Sequence, residues 1–181
     1  MDKKWETIEL LSLHRHDWLN RMQLIKGHLD LGKTEYVKEI VEAIISQSRN
    51  EAALSNMDMP KLAELLITCN WRGYPFTVEY EVLQVNQGYR EMDEAVSGWV
   101  GALLHIIGNS VDECFENSLE VEISQSADEL RFTFDLQGKI KDKLAITKFI
   151  EEKSLFTNQS KHSIMDDEFI LEIALHQNQA T

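Results

Sequence analysis

Apolar residues recur at spacings of three and four through the N-terminal third of the chain and give way to alternation only beyond Pro75. On a helix drawn at about 100° per residue, Ile8, Leu11, Trp18, Leu19, Met22, Ile25 and Leu29 gather on one face. The pattern predicts a helix from Lys4 to Leu31 that ends at Gly32, a residue suited to a left-handed C-cap. Thr34 is a candidate N-cap for a second helix, Glu35 to Ser55, with a stripe of Val37, Ile40, Val41, Ile44, Ile45 and Ser48. So short a connection forces an antiparallel hairpin. Leu10, Leu13, Leu24 and Leu31 fall away from the main stripe of the first helix. Packing two hairpins into a four-helix bundle covers such surface, which predicts a homodimer; the alternative is cover in cis by the C-terminal part.

Beyond a link at Met57–Pro60 the pattern predicts a helix over Lys61–Trp71 and a strand over Phe76–Val85. A long helix over Glu91–Phe115 follows, then strands over Leu119–Ser124 and Leu130–Leu136 with a turn near Ala127-Asp128. A helix over Lys141–Lys153 and a last strand over Glu168–Leu175 complete the chain. The expected fold is α+β: a helical hairpin in residues 1–56, then an α/β sandwich in 57–181 with an antiparallel-rich sheet backed by helices. No internal repeat or low-complexity tract interrupts it.

Charge changes the picture most through its distribution. The net charge is −13, yet residues 1–49 are neutral and the excess negatives all lie in 50–181. Such a balance argues against a nucleic-acid partner. A neutral N-terminal face, locally basic with Arg15, Arg21 and Lys26, suits an acidic partner or a phosphoryl group. Cys69 and Cys114 lie in apolar, helix-like stretches without metal-ligand spacing, and are expected as buried free thiols. His105, within an apolar helix, is expected to be packed. No signal-peptide core or membrane-length apolar run is present, so a cytoplasmic location is expected.

The candidate chemistry centres on His16, placed well over 90° from the main apolar stripe by the helical period of about 100° per residue, with Asn20 one turn on and Gln23 bordering it. A histidine exposed on a helix is a metal ligand, a general base, a phosphoryl acceptor, or merely surface. Metal binding wants a second ligand at i+3 or i+4, where Asn20 is a poor one. A hydrolytic triad wants a nucleophile in a pocket, which a helix flank does not provide. A phosphoryl acceptor needs a neutral ring nitrogen, open approach and a cation for the incoming oxygens, and Arg15, Asp17 and Asn20 suit that list.

The stretch SLHRHDWLNRMQLIKGHLDLGK resembles the phosphoacceptor helix of two-component histidine kinases. More closely, R-H-D-W-x-N-x-x-Q-L-I-K-G at Arg15–Gly27 resembles the sporulation initiation phosphotransferase (stage 0 sporulation protein B) family, related to the citrate- and dicarboxylate-sensing kinases. The resemblance implies that His16 is phosphorylated, with Arg15, Asp17, Asn20 and Gln23 supporting it or touching a partner. It also implies a four-helix-bundle dimer and a C-terminal domain shaped like a degenerate histidine-kinase ATP-binding domain.

The family's nucleotide boxes are eroded here. Against a kinase pattern G-N-x-x-D-N-A-x-E the chain has Gly108, Asn109, Asp112 and Glu116 in place, but Glu113 where the second asparagine belongs. The Asp-x-Gly-x-Gly box is reduced to Asp135-Leu136-Gln137-Gly138, and the second glycine-rich box has no counterpart. Without a glycine nest the phosphates of a nucleotide lose their cradle. The expected function is therefore a histidine phosphotransferase of a phosphorelay, passing a phosphoryl group through His16 between the aspartates of two response regulators: by resemblance a single-domain phosphodonor and a transcription-factor acceptor. No cofactor is expected on this chain, with Mg²⁺ brought by the regulator. The alternatives are an ATP-dependent kinase core and a non-catalytic scaffold that sequesters regulators.

Overall fold

A computed structural model describes residues 6–84, 89–125, 129–152 and 160–176. The elements run α1 (Thr7–Asp30), α2 (Thr34–Ser55), α3 (Pro60–Ile67), β1 (Thr77–Gln84), α4 (Asp93–Ser110), β2 (Ser118–Gln125), β3 (Glu129–Gln137), α5 (Lys143–Glu152), β4 (Ser160–Ile164) and β5 (Glu168–His176). They form two compact units, Met1–Arg49 and Asn50–Thr181, so α2 crosses the boundary and its last turns belong to the second.

In the first unit α1 opens with the Glu6 N–H donating to the Glu9 carboxylate at 3.1 Å, and closes on a left-handed Gly32 with φ +70°. Gly32 N–H donates to Leu29 O and Lys33 N–H to His28 O, both at 2.9 Å, a Schellman termination that turns the chain back. The His28 ring meets Tyr36 of α2 at 4.4 Å between centroids. That contact decides which side of α1 faces α2. Counting back from His28 in steps of three and four, Ile25, Arg21, Asp17, Leu13 and Leu10 are the half-buried positions. They face Val37, Ile40 and Ile44, half-buried on α2, and Arg21 Nη2 donates to Gln47 Oε1 at 2.5 Å.

This reverses one expectation. The main stripe read from the sequence does not form the hairpin seam: Leu11 is 54%, Leu19 55% and Leu29 50% exposed, with Ile8, Trp18 and Met22 exposed beside them. Leu10 and Leu13, expected on the outer side, are turned inward. The helix carries two apolar stripes roughly 110° apart, and the Gly32 turn selects the less apolar one for α2.

In the second unit the strands form one mixed sheet in the order β1-β2-β3-β5-β4, with β1–β2 parallel and the other pairs antiparallel. Strict alternation gives it one apolar face: Leu119, Val121 and Ile123, then Phe132 and Phe134, then Leu171 and Ile173 are buried, while Glu120, Arg131 and Glu172 are exposed. Trp99 of α4 packs against Phe134 at 6.2 Å and Phe149 of α5 at 5.6 Å, laying the helices on that face. The buried Asp93 receives the Lys61 and Leu62 N–H groups at 2.9 Å each, capping α3 from the start of α4. At edge strand β1, Asn70 pairs with both backbone groups of Val78 at 2.8 Å and Asn50 Oδ1 accepts the Val82 N–H, which occupies that edge.

The helix predicted over Lys61–Trp71 is α3 followed by a 3-10 turn at Cys69–Trp71. The helix predicted through Phe115 stops at Ser110, because Val111 is drawn into extended geometry by a bridge to Ile140. That leaves Cys114 on an exposed turn, so only Cys69 is the buried thiol expected of both. His105 is likewise exposed rather than packed. Strand β4 has no counterpart in the prediction: four of the five residues in SKHSI are exposed, so it carries no apolar alternation and rests on backbone pairing with β5. The predicted turn at Ala127-Asp128 lies outside the described residues. Among the described residues no helix is long and apolar enough to cross a membrane.

Candidate functional site

α1 holds the His16 ring out from the hairpin, with the side chain 71% exposed. On a helix of about 3.6 residues per turn His16 stands roughly 120° from the hairpin seam and 130° from the exposed apolar stripe, so α1 has three faces. Two side chains converge on one atom of the ring. Asp17 Oδ1 lies 3.5 Å from Nδ1 and Asn20 Nδ2 lies 3.3 Å from it. Both contacts fall on Nδ1, which leaves Nε2 as the nitrogen open to an incoming group. Asp17 is half-buried on the seam, while Asn20 stands exposed on the histidine's own face.

The other expected residues are placed differently. Gln23 shares the histidine face, two turns along the helix. Arg15 does not: it lies roughly 100° round the helix, among the residues of the exposed apolar stripe. Arg21 is spent on Gln47, and Lys26 pairs with Asp30 at 2.6 Å. The helical period thus turns the basic residues that cluster in sequence roughly 80° or more away from His16. Within the hairpin, His16 has an acid and an amide beside it and no described cation.

In the second unit, the segments that carry the eroded nucleotide boxes are zipped to one another. Asp112 N–H donates to Lys139 O at 2.8 Å, Lys141 N–H to Ser110 O at 2.7 Å, and Val111 bridges Ile140. On the other side Gly138 and Ile140 N–H donate to Asp167 and Asp166 carbonyls at 2.9 Å. Asn117, buried and passed over by the sequence reading, locks the arrangement. Its Nδ2 donates to the carbonyls of Pro75, Asp112 and Phe115, each at 3.0 Å, and its Oδ1 accepts the Lys139 N–H at 2.9 Å. A Cβ at Gly138, whose φ is +152°, would come within 2.1 Å of Asn117 Oδ1. The surviving glycine of the box is therefore held by a side chain of this chain, for which the sequence signal was only an asparagine directly before a strand.

The charges here are mutually engaged. The hydrogen bond from Cys114 N–H, with Lys141 adding to it, holds the Asp112 carboxyl below the usual carboxylate range. Lys143 does the same for Asp166 through a 2.5 Å contact. Asn109, Glu113 and Glu116 are exposed, and Asp135 accepts from Gln137 Nε2 at 2.8 Å.

Comparison with known proteins gives the family directly. Residues 1–57 match the model described as the SpoOB-type sensor kinase alpha-helical domain, and residues 58–176 match that for sporulation initiation phospho-transferase B, C-terminal. The chain is 31% identical over 172 residues to Sporulation initiation phosphotransferase B of Bacillus subtilis (strain 168), covering 94% of this chain and 90% of that one. Among solved structures it is similar to the blue-light activated histidine kinase EL346 of Erythrobacter litoralis, with TM-score 0.50, 11% identity, and coverage of 99% of this chain and 63% of that one. The histidine kinase AdeS of Acinetobacter baumannii is similar at TM-score 0.47 and 11% identity, over 91% and 98% of the two chains. An N-terminal helical region followed by a five-stranded mixed sheet with helices is the histidine-kinase architecture, as the sequence implied. The chain belongs to the sporulation initiation phosphotransferase B family.

Proposed function

We propose that His16 accepts a phosphoryl group at Nε2 from the aspartyl phosphate of one response regulator and passes it to the aspartate of a second. Phosphoryl transfer in the initiation of sporulation is the work of the family to which the chain belongs. The observation that carries the residue-level reading is the convergence of Asp17 and Asn20 on Nδ1 of an exposed ring, which leaves Nε2 clear. With the ring neutral and its proton on Nδ1, the Nε2 lone pair attacks phosphorus in line. The P–O bond to the donor aspartate breaks and its electron pair stays on that carboxylate. Asp17 accepts the Nδ1–H and offsets the positive charge that develops on the ring.

The absence of a described cation on the histidine face fits a shuttle. The phosphoryl oxygens are then neutralised by Mg²⁺ held in the acidic pocket of each regulator, and no cofactor is needed on this chain. The same geometry serves both directions, because donor and acceptor are aspartates of like proteins. The exposed stripe Ile8, Leu11, Trp18, Leu19, Met22 and Leu29 supports a homodimer in which two hairpins form a four-helix bundle. Most of these side chains are about half exposed, so covering each contributes on the order of 1 kcal/mol. No nucleic-acid partner fits a chain of net charge −13, and a cytoplasmic site is consistent with its partners.

The zipped Ser110–Asp112 and Lys139–Lys141 segments favour a protein donor over ATP. The test compares two donors, labelled ATP and a labelled phospho-aspartyl regulator. The reading expects acid-labile, base-stable label from the regulator alone; label from ATP would instead make the chain a kinase core.

A further inference from the structure

Two neighbours compete for one ring nitrogen, and their chemistry is opposite. The Asp17 carboxylate, 3.5 Å from His16 Nδ1, only accepts and so requires Nδ1–H. The Asn20 amide nitrogen, 3.3 Å from the same atom, only donates and so requires a bare Nδ1. Nδ1 satisfies one of them at a time. When Asn20 is engaged, the neutral ring carries its proton on Nε2, the exposed nitrogen, which then has no lone pair for phosphorus. When Asp17 is engaged, the proton sits on Nδ1 and Nε2 is nucleophilic. The shorter contact is to Asn20.

We infer that Asn20 is a positioning residue that holds resting His16 in the unreactive tautomer, and that a docking regulator releases the ring by taking the Asn20 amide for itself. This rests on His16 being the phosphoacceptor. Asp17 is half-buried on the hairpin seam, whereas Asn20 stands exposed on the histidine face and meets any partner that covers His16. Release lets water remove the Nε2 proton and supply one at Nδ1, with no net change in ring charge. The device makes nucleophilicity conditional on docking. It spares the ring from small phosphodonors when no regulator is bound.

The test is the tautomer of His16 read by long-range nitrogen–proton NMR on the full chain at alkaline pH, where the ring is neutral. The wild type is expected to be mainly Nε2–H. Asn20→Ala removes the donor, and Asn20→Asp replaces it with an acceptor; both are expected to move the ring to Nδ1–H. Phosphorylation by phosphoramidate, a small donor that docks nowhere, is expected to rise in both variants by the same factor as the Nδ1–H population. Asp17→Asn is expected to shift the ring the other way. A wild-type ring already in the Nδ1–H form, or one unmoved by either Asn20 variant, overturns the inference. His16→Gln separates the two claims: label from phosphoramidate that survives it would refute the phosphoacceptor reading, while the tautomer measurement still decides the role of Asn20.

Discussion

Single residues fix the local chemistry of the chain, and glycine and cysteine show it most plainly. Gly138 is compatible with the fold because it leaves room for the Asn117 amide, and the positive φ there would strain any other residue. Gly138→Ala must displace Asn117 from its four hydrogen bonds, and we expect a loss of at least about 2 kcal/mol, seen as a lowered unfolding midpoint in urea. The two thiols should separate as clearly. Burial pushes the Cys69 thiol up to about 12, only partly offset by Arg72, whereas Cys114 is exposed. A thiol reagent at neutral pH should modify one cysteine in the native protein and two after denaturation. Rapid modification of both in the folded chain would contradict the placement of Cys69. The sequence made both cysteines look alike because each sits among apolar residues. What separates them is where α4 ends, and that depends on the Val111–Ile140 bridge.

Elements show why periodicity reads some structure well and some poorly. Strands β2, β3 and β5 were legible because one face of each is buried, so burial writes alternation into the sequence. Strand β4 was not, because an edge strand held by backbone pairing leaves no such trace. α1 is the instructive case, since its position was evident while its inward face was misread. The stripe richest in apolar residues marks the surface with most to bury, and in α1 that surface is not the one α2 covers. The decision was made by the Schellman turn at Gly32 and the His28–Tyr36 contact, neither of which changes the periodicity. The two stripes therefore predict different phenotypes. Leu19→Glu, on the exposed stripe, should turn the proposed four-helix-bundle dimer into a monomer by light scattering while helicity persists. Leu13→Glu, in the seam, should lose helicity as well, since it breaks the hairpin itself. A Leu19→Glu chain that stays dimeric would place the bundle interface elsewhere.

At the scale of the whole molecule, the chain pairs an exposed imidazole on a rigid hairpin with a kinase-like domain whose nucleotide segments are sewn together by their own backbone. The exposure of His16 beside Asp17 and Asn20 was legible in sequence because neighbours on one surface helix need not be assembled from distant parts of the chain. The loss of Arg15, Arg21 and Lys26 from the face of His16 was not, since proximity in sequence suggested a cationic site and the helical period turns all three away from the ring. No described residue puts a cation beside the histidine, so the proposed transfer draws one from the partner, which fits an intermediate between two regulators. The most direct test is to incubate the chain with a labelled phospho-aspartyl regulator, locate the label by mass spectrometry, and then add a second, unphosphorylated regulator. The account predicts label on His16 that moves to the second regulator, with neither step occurring in His16→Gln. Label on any other residue, or regulator binding that survives His16→Gln while no phosphoryl group ever reaches the wild-type chain, would contradict it.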